Sequence, residues 1–175
     1  MKWCQARGEN EGGFENDIVL ANCDFLIIHV DADIASEADL RHLSLSAPCP
    51  PPKVTCDNIR SYIISLLGGN PPPKVVFCIP AQCTEAWIVA ALHPEEALKR
   101  HSIECKSDPE RLLIQKPDKL VRIKDGTPRK QAANYRVALG KIVDKWSDAT
   151  AACSEASRFE TECRATLAAI ERTMS

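Results

Sequence analysis

The chain has 175 residues, 45% hydrophobic and 26% charged, with a formal net charge of -2. That length supports one folded domain with a real core, and so small a net charge excludes binding of nucleic acid through bulk charge alone. The longest apolar run, Ala86 to Leu92, is too short to span a membrane, and the start Met1-Lys-Trp-Cys-Gln-Ala-Arg7 is followed by no apolar signal core, so the expected compartment is the cytoplasm.

In chain order, residues 1–16 are polar and contain glycine, and read as a loop. Asp24-Phe-Leu-Ile-Ile-His-Val-Asp-Ala-Asp33 then runs from apolar residues into two aspartates one residue apart. Phe25 to Val30 is short, bulky and partly β-branched, which predicts a strand buried on both faces of a parallel sheet. Ligand sites of such sheets lie beyond the carboxyl ends of the strands, where Asp31 and Asp33 fall. Two carboxylates there repel each other unless a cation joins them, and Mg2+ takes one or two carboxylates with water or phosphate oxygens in its other positions. His29 is expected in the core or behind the aspartates rather than as a ligand.

Ile34 to Leu43 predicts a short helix, and Ser44 to Lys53, with four prolines, a rigid connector. Thr55 caps a helix whose Ile59, Tyr62, Ile63, Leu66 and Leu67 repeat at helical spacing and which Gly68-Gly69 ends. After a break at Asn70 to Pro73, Lys74-Val-Val-Phe-Cys-Ile-Pro80 is a second buried strand, joined to the first by a right-handed crossover. Cys83 or Thr84 then caps an apolar helix, Glu85 to Leu92. Its single acid, Glu85, is expected at the same sheet edge as Asp31 and Asp33; the plainer reading is a first-turn acid that complements the helix dipole.

Short helices are expected at His93-Pro94 and at Asp108-Pro109, the latter ended by Pro117. Thr127-Pro128 is read as opening a longer helix with the stripe Ala132, Tyr135, Leu139, Ile142, Val143 and Trp146. A second helix from Ser147 or Asp148 carries Ala152, Ala156, Phe159, Cys163, Leu167 and Ile170, completing a C-terminal helical hairpin with Lys130, Arg136, Lys141 and Lys145 outside. The organisation expected is a core over residues 1–107 and a helical extension over 108–175 packed on it.

Charge is segregated along this order. Residues 1–48 hold three Lys or Arg against nine Asp or Glu, and residues 116–145 hold nine Lys or Arg against three Asp. A metal site in the first part and a phosphate-facing surface in the second would produce that asymmetry, although basic helix faces are commonly just solvated. The nine cysteines are odd in number and scattered, which predicts reduced thiols. Neither Cys49 with Cys56 nor Cys78 with Cys83 has the short paired spacing of a structural zinc site.

Asp-x-Asp after an apolar strand is shared by several metal-dependent classes. Haloacid dehalogenase phosphatases prefer Thr or Val where Ala35 stands, and nucleotide-sugar transferases need a larger nucleotide-binding unit upstream than the 23 residues found here. The closer likeness is to toprim domains, the metal-binding α/β domains of topoisomerases, primases and nucleases of the overcoming-lysogenisation-defect type. Leu26-Ile-Ile-His-Val-Asp-Ala-Asp33, followed after the crossover by Val75-Val-Phe-Cys-Ile-Pro-Ala-Gln-Cys-Thr-Glu-Ala-Trp87, resembles toprim-related proteins encoded near ATPases in bacterial anti-phage loci. The resemblance implies a mostly parallel, toprim-like sheet flanked by helices, with Asp31 and Asp33 holding Mg2+ or Mn2+. It makes Glu85 an additional acid of the site and Lys124, Arg129 and Lys130 contacts to the phosphate backbone. The implied activity is a nuclease, or nuclease subunit, working with an ATPase partner in anti-phage defence.

Toprim domains also begin with a strand followed by a glutamate, and no apolar strand precedes residue 18. Glu9, Glu11 or Glu15 supplies that acid, or the strand lies upstream of Met1, or the protein is a non-catalytic sensor or adaptor. A lost first strand would also leave a sheet edge for a partner or a second copy to cover. A small-molecule phosphotransfer enzyme is the third functional reading.

Overall fold

A computed structural model of the protein describes residues 4, 6, 14, 17–69, 74–99 and 102–174. Glu9, Glu11 and Glu15, the other loop residues before Asp17 and the break at 70–73 lie outside them, apart from isolated helical or turn positions. Among the described residues the protein is mixed α/β, with a small parallel sheet and flanking helices.

A four-residue helix, α1 (Ile18–Ala21), leads into β1 (Leu26–His29). The next segment forms two 3-10 turns, Ala32–Ser36 and Arg41–Leu43, rather than one short helix. The proline connector then enters α2 (Lys53–Leu66), whose N-cap is Pro52, about one helical turn earlier than a Thr55 cap requires. Thr55 caps nothing; its hydroxyl accepts from the Ala47 amide at 2.9 Å and secures the connector. Cys56, Ile59 and Ile63 form the buried face of α2, which Leu67 continues at its C-cap, as the helical spacing of the apolar residues requires.

β2 (Val75–Cys78) pairs in parallel with β1, Leu26 opposite Val75 and His29 opposite Cys78. All four residues of β2 are buried, but in β1 only Ile28 is, and Ile27 is 45% exposed. The expectation that β1 is covered on both faces is therefore corrected: among the described residues it pairs on one side only, as an edge strand does.

α3 (Glu85–Leu92) follows β2 and is buried from Glu85 to Ala91. After α4 (Pro94–Leu98), the chain makes 3-10 turns at Ile103–Cys105 and Pro109–Leu113. Thr127-Pro128 opens no helix. β3 (Val121–Lys124) and β4 (Thr127–Lys130) form an antiparallel hairpin, with Asp125 and Gly126 at positive φ in its two-residue turn. Asp-Gly suits such a turn because both positions need φ above zero. α5 (Ala132–Asp144), α6 (Trp146–Ala152) and α7 (Ser154–Met174) complete the chain.

The stripe expected on α5 is corrected in part. Ala138 is buried and Tyr135 and Ile142 pack beside it, whereas Leu139 and Val143 are 58% and 63% exposed. One hydrophobic cluster lies around β1, α2 and one face of β2; the other gathers α3, β3 and the C-terminal helices. Trp87 centres the second, stacked on Phe159 at 6.0 Å and edge-on to Trp146 at 5.9 Å between ring centres.

Candidate functional site

β1 and β2 end side by side because they are parallel and in register, so the residues after both emerge at one edge of the sheet. There a cleft of about 300 Å³ is lined by Asp31, Asp33, Gln82, Glu85, Glu110 and Lys130, among others. The strand-end reading thus brings Asp31, Asp33 and Glu85 to one cavity. It missed Glu110, which enters from the Pro109–Leu113 turn, and it gave Lys130 a different role.

Asp31 is held from behind. Its Oδ1 lies 3.1 Å from His29 Nε2 and accepts from the Thr84 hydroxyl at 3.4 Å. The Thr84 oxygen also lies 3.2 Å from His29 Nε2, so Thr84 spends its side chain on the site and makes no cap bond to α3. His29 is half exposed, not a core residue, and its hydrogen bond to Asp31 is the main reason its pKa stands above the ordinary histidine value. Asp33 is raised above the usual carboxylate range, by burial first and then by the Asp31 charge. The crowding expected of the Asp pair is present.

Glu85 is only 2% exposed. Its Oε1 accepts from the Tyr135 hydroxyl at 3.1 Å and pairs with Lys130 Nζ at 2.8 Å, while Oε2 is buried without a hydrogen-bond partner among the described residues. A helix-dipole role alone would leave this acid near water; here it is a buried anion needing a cation. Burial and the Glu85 charge push the Tyr135 hydroxyl up, keeping it a neutral donor. Burial, then the Glu85 charge, push the Cys83 thiol up to about 12, so it is no nucleophile at neutral pH. Partial burial opposes the charge on Lys130, but the hydrogen bond and charge of Glu85 outweigh it and raise its pKa.

The three basic residues expected on phosphate divide by strand geometry. In the hairpin register Arg122 faces Arg129 and Lys124 faces Thr127, whereas Lys130 faces Val121. Side chains alternate along a strand, so Lys124 and Arg129 share one face and Lys130 lies on the other, toward the cleft. Arg122, not singled out in the sequence, joins Lys124 and Arg129; all three are exposed. The Asp-Gly turn between alternating residues was the signal that could have placed it.

Among the described residues no group of three or more His, Cys, Asp or Glu side chains is arranged to hold a metal ion. Asp31 and Asp33 offer oxygen donors that suit a hard cation, and Glu85 Oε2 adds a buried oxygen without a hydrogen-bond partner among the described residues. Comparison of the chain with protein-family models, with curated proteins and with solved structures finds no match.

Proposed function

We propose that the protein is a nuclease, or the nuclease subunit of a complex, with a toprim-like core and a requirement for Mg2+ or Mn2+. One observation carries this reading: an acidic cleft at the carboxyl ends of two parallel strands, holding Asp31, Asp33 and Glu85, lies beside a hairpin with Arg122, Lys124 and Arg129 on its far face. The two aspartates fit Mg2+ as a pair of oxygen ligands, with water or phosphate completing the shell. Bound there, the ion would neutralise phosphate charge and activate water. The chain's own residues do the rest. His29 and Thr84 fix the rotamer of Asp31, Tyr135 orients Glu85, and Lys124 and Arg129 offer charge to the backbone flanking the scissile phosphate. The ATPase partner and the role in anti-phage defence belong to the same proposal and rest on the sequence resemblance.

The test is incubation of labelled single-stranded DNA, duplex DNA and RNA with the purified chain, alone and with the ATPase encoded nearest its gene, in Mg2+ or Mn2+. Shorter products that disappear in an Asp31→Asn, Asp33→Asn variant are expected. Intact substrate under every condition would contradict the reading.

A second reading, a non-catalytic sensor or adaptor, is favoured by the ion pair and hydrogen bond that Glu85 already makes with Lys130 and Tyr135. On that reading the doubly substituted variant keeps full biological activity.

A further inference from the structure

Glu85 has two partners of different kinds. Tyr135 sits half-buried on α5 and is a neutral donor. Lys130 ends an exposed hairpin, and its side chain is 60% exposed although its charge reaches a carboxylate that is 3% exposed. The counter-charge of the most buried acid in the cleft therefore has an open route to solvent.

The cleft is short of positive charge. Among the described residues four that line it are acids, Asp31, Asp33, Glu85 and Glu110, and one, Lys130, is a lysine or arginine. His29 adds a proton donor behind Asp31 alone. The second Glu85 oxygen, buried and without a partner among the described residues, is left to attract a further cation.

We infer that Lys130 is an exchangeable counter-ion of Glu85: a divalent cation bound by the cleft carboxylates displaces its ammonium group, which then turns outward to the phosphate side. This rests on the metal-dependent reading above and adds a coupling to it. Without the ion, Lys130 neutralises Glu85 at the wall of the cleft; with the ion, the same lysine is released to an anionic substrate. Lys130 Nζ lies 2.8 Å from Glu85 Oε1, so a divalent ion drawn to the same carboxylate repels the ammonium group and weakens its hold.

The experiment is a Mn2+ titration without nucleic acid, with free ion counted by electron paramagnetic resonance, on the wild type, Lys130→Met, Lys130→Arg and Glu85→Gln. Removing the competing charge should tighten binding in Lys130→Met by about tenfold. Lys130→Arg should stay near the wild type, and Glu85→Gln should bind more weakly, with no further response to Lys130→Met. Equal or weaker binding in Lys130→Met overturns the inference. Because Lys130→Met leaves a buried anion unpaired and can compromise folding, the wild type supplies a second measurement. The Lys130 side-chain ammonium resonance should move to the position of a solvated lysine at Mg2+ saturation, and no movement overturns the exchange. The failures are distinguishable: binding that needs Asp31 and Asp33 but ignores residue 130 sinks the exchange alone, whereas no binding by the wild type sinks the metal reading with it.

Discussion

Glu155 shows how a buried acid makes stability depend on pH. It is 6% exposed, and its pKa lies above the usual carboxylate range because of burial, with Glu104 adding to the shift and Arg158 opposing it. An acid whose folded pKa exceeds its unfolded one favours folding most when protonated, so this contribution is present at low pH and is lost as pH rises through the raised value. Glu155→Gln should therefore melt higher than the wild type at pH 7 and nearly with it at pH 4; an equal gain at both would contradict the assignment. The residues of the cleft were legible to different degrees. Asp31, Asp33 and Glu85 could be placed because strand ends and a helix start fix positions in a parallel unit. The burial of Glu85 could not, because it depends on Tyr135 and Lys130, 50 and 45 residues further on.

Elements were legible where periodicity and breakers agreed, as in α2, β2 and α3. The hairpin was missed because Thr127-Pro128 looks like a helix start, and the stronger signal was Asp125-Gly126 with φ above zero at both positions. That error moved Lys130 from the outside of a helix to the wall of a cleft. The start of α7 was illegible for another reason: its cap comes from a distant residue. Glu104 accepts from the Ser154 amide at 2.6 Å, the Ser154 hydroxyl at 2.9 Å, the Glu155 amide at 3.0 Å and Trp87 Nε1 at 3.1 Å. One buried carboxylate thus joins α3 to the first turn of α7. Glu104→Ala would leave these donors without their acceptor and should destabilise the protein by about 3 kcal/mol. Chemical denaturation measures it, and a loss below about 0.5 kcal/mol, the range of ordinary surface changes, would contradict the account.

On the scale of the molecule, two hydrophobic clusters meet at β2, whose Val75 and Phe77 belong to one and Cys78 to the other. A disulfide between Cys49 and Cys105, with Cα atoms 5.5 Å apart, ties the proline connector to the turn that carries Glu104. The expectation that all nine thiols are reduced is corrected at this pair; Cys4, Cys23, Cys56, Cys78, Cys83, Cys153 and Cys163 are free. Sequence spacing could not reveal it, since 56 residues separate the partners and only folding brings them within bonding distance. Cys49→Ser should lower stability by about 2–4 kcal/mol under oxidising conditions and match the reduced wild type; equal stability of the oxidised wild type and the variant would show that the bridge holds nothing. Among the described residues no helix is long and apolar enough to cross a membrane.

The proposed function rests on a cation site formed by Asp31 and Asp33 at the carboxyl edge of the parallel pair. Calorimetric titration of Mg2+ and Mn2+ into the wild type and into an Asp31→Ala, Asp33→Ala variant tests it most directly. Saturable binding in the wild type that is lost in the variant is expected. No binding by the wild type, or equal binding by both, would contradict it.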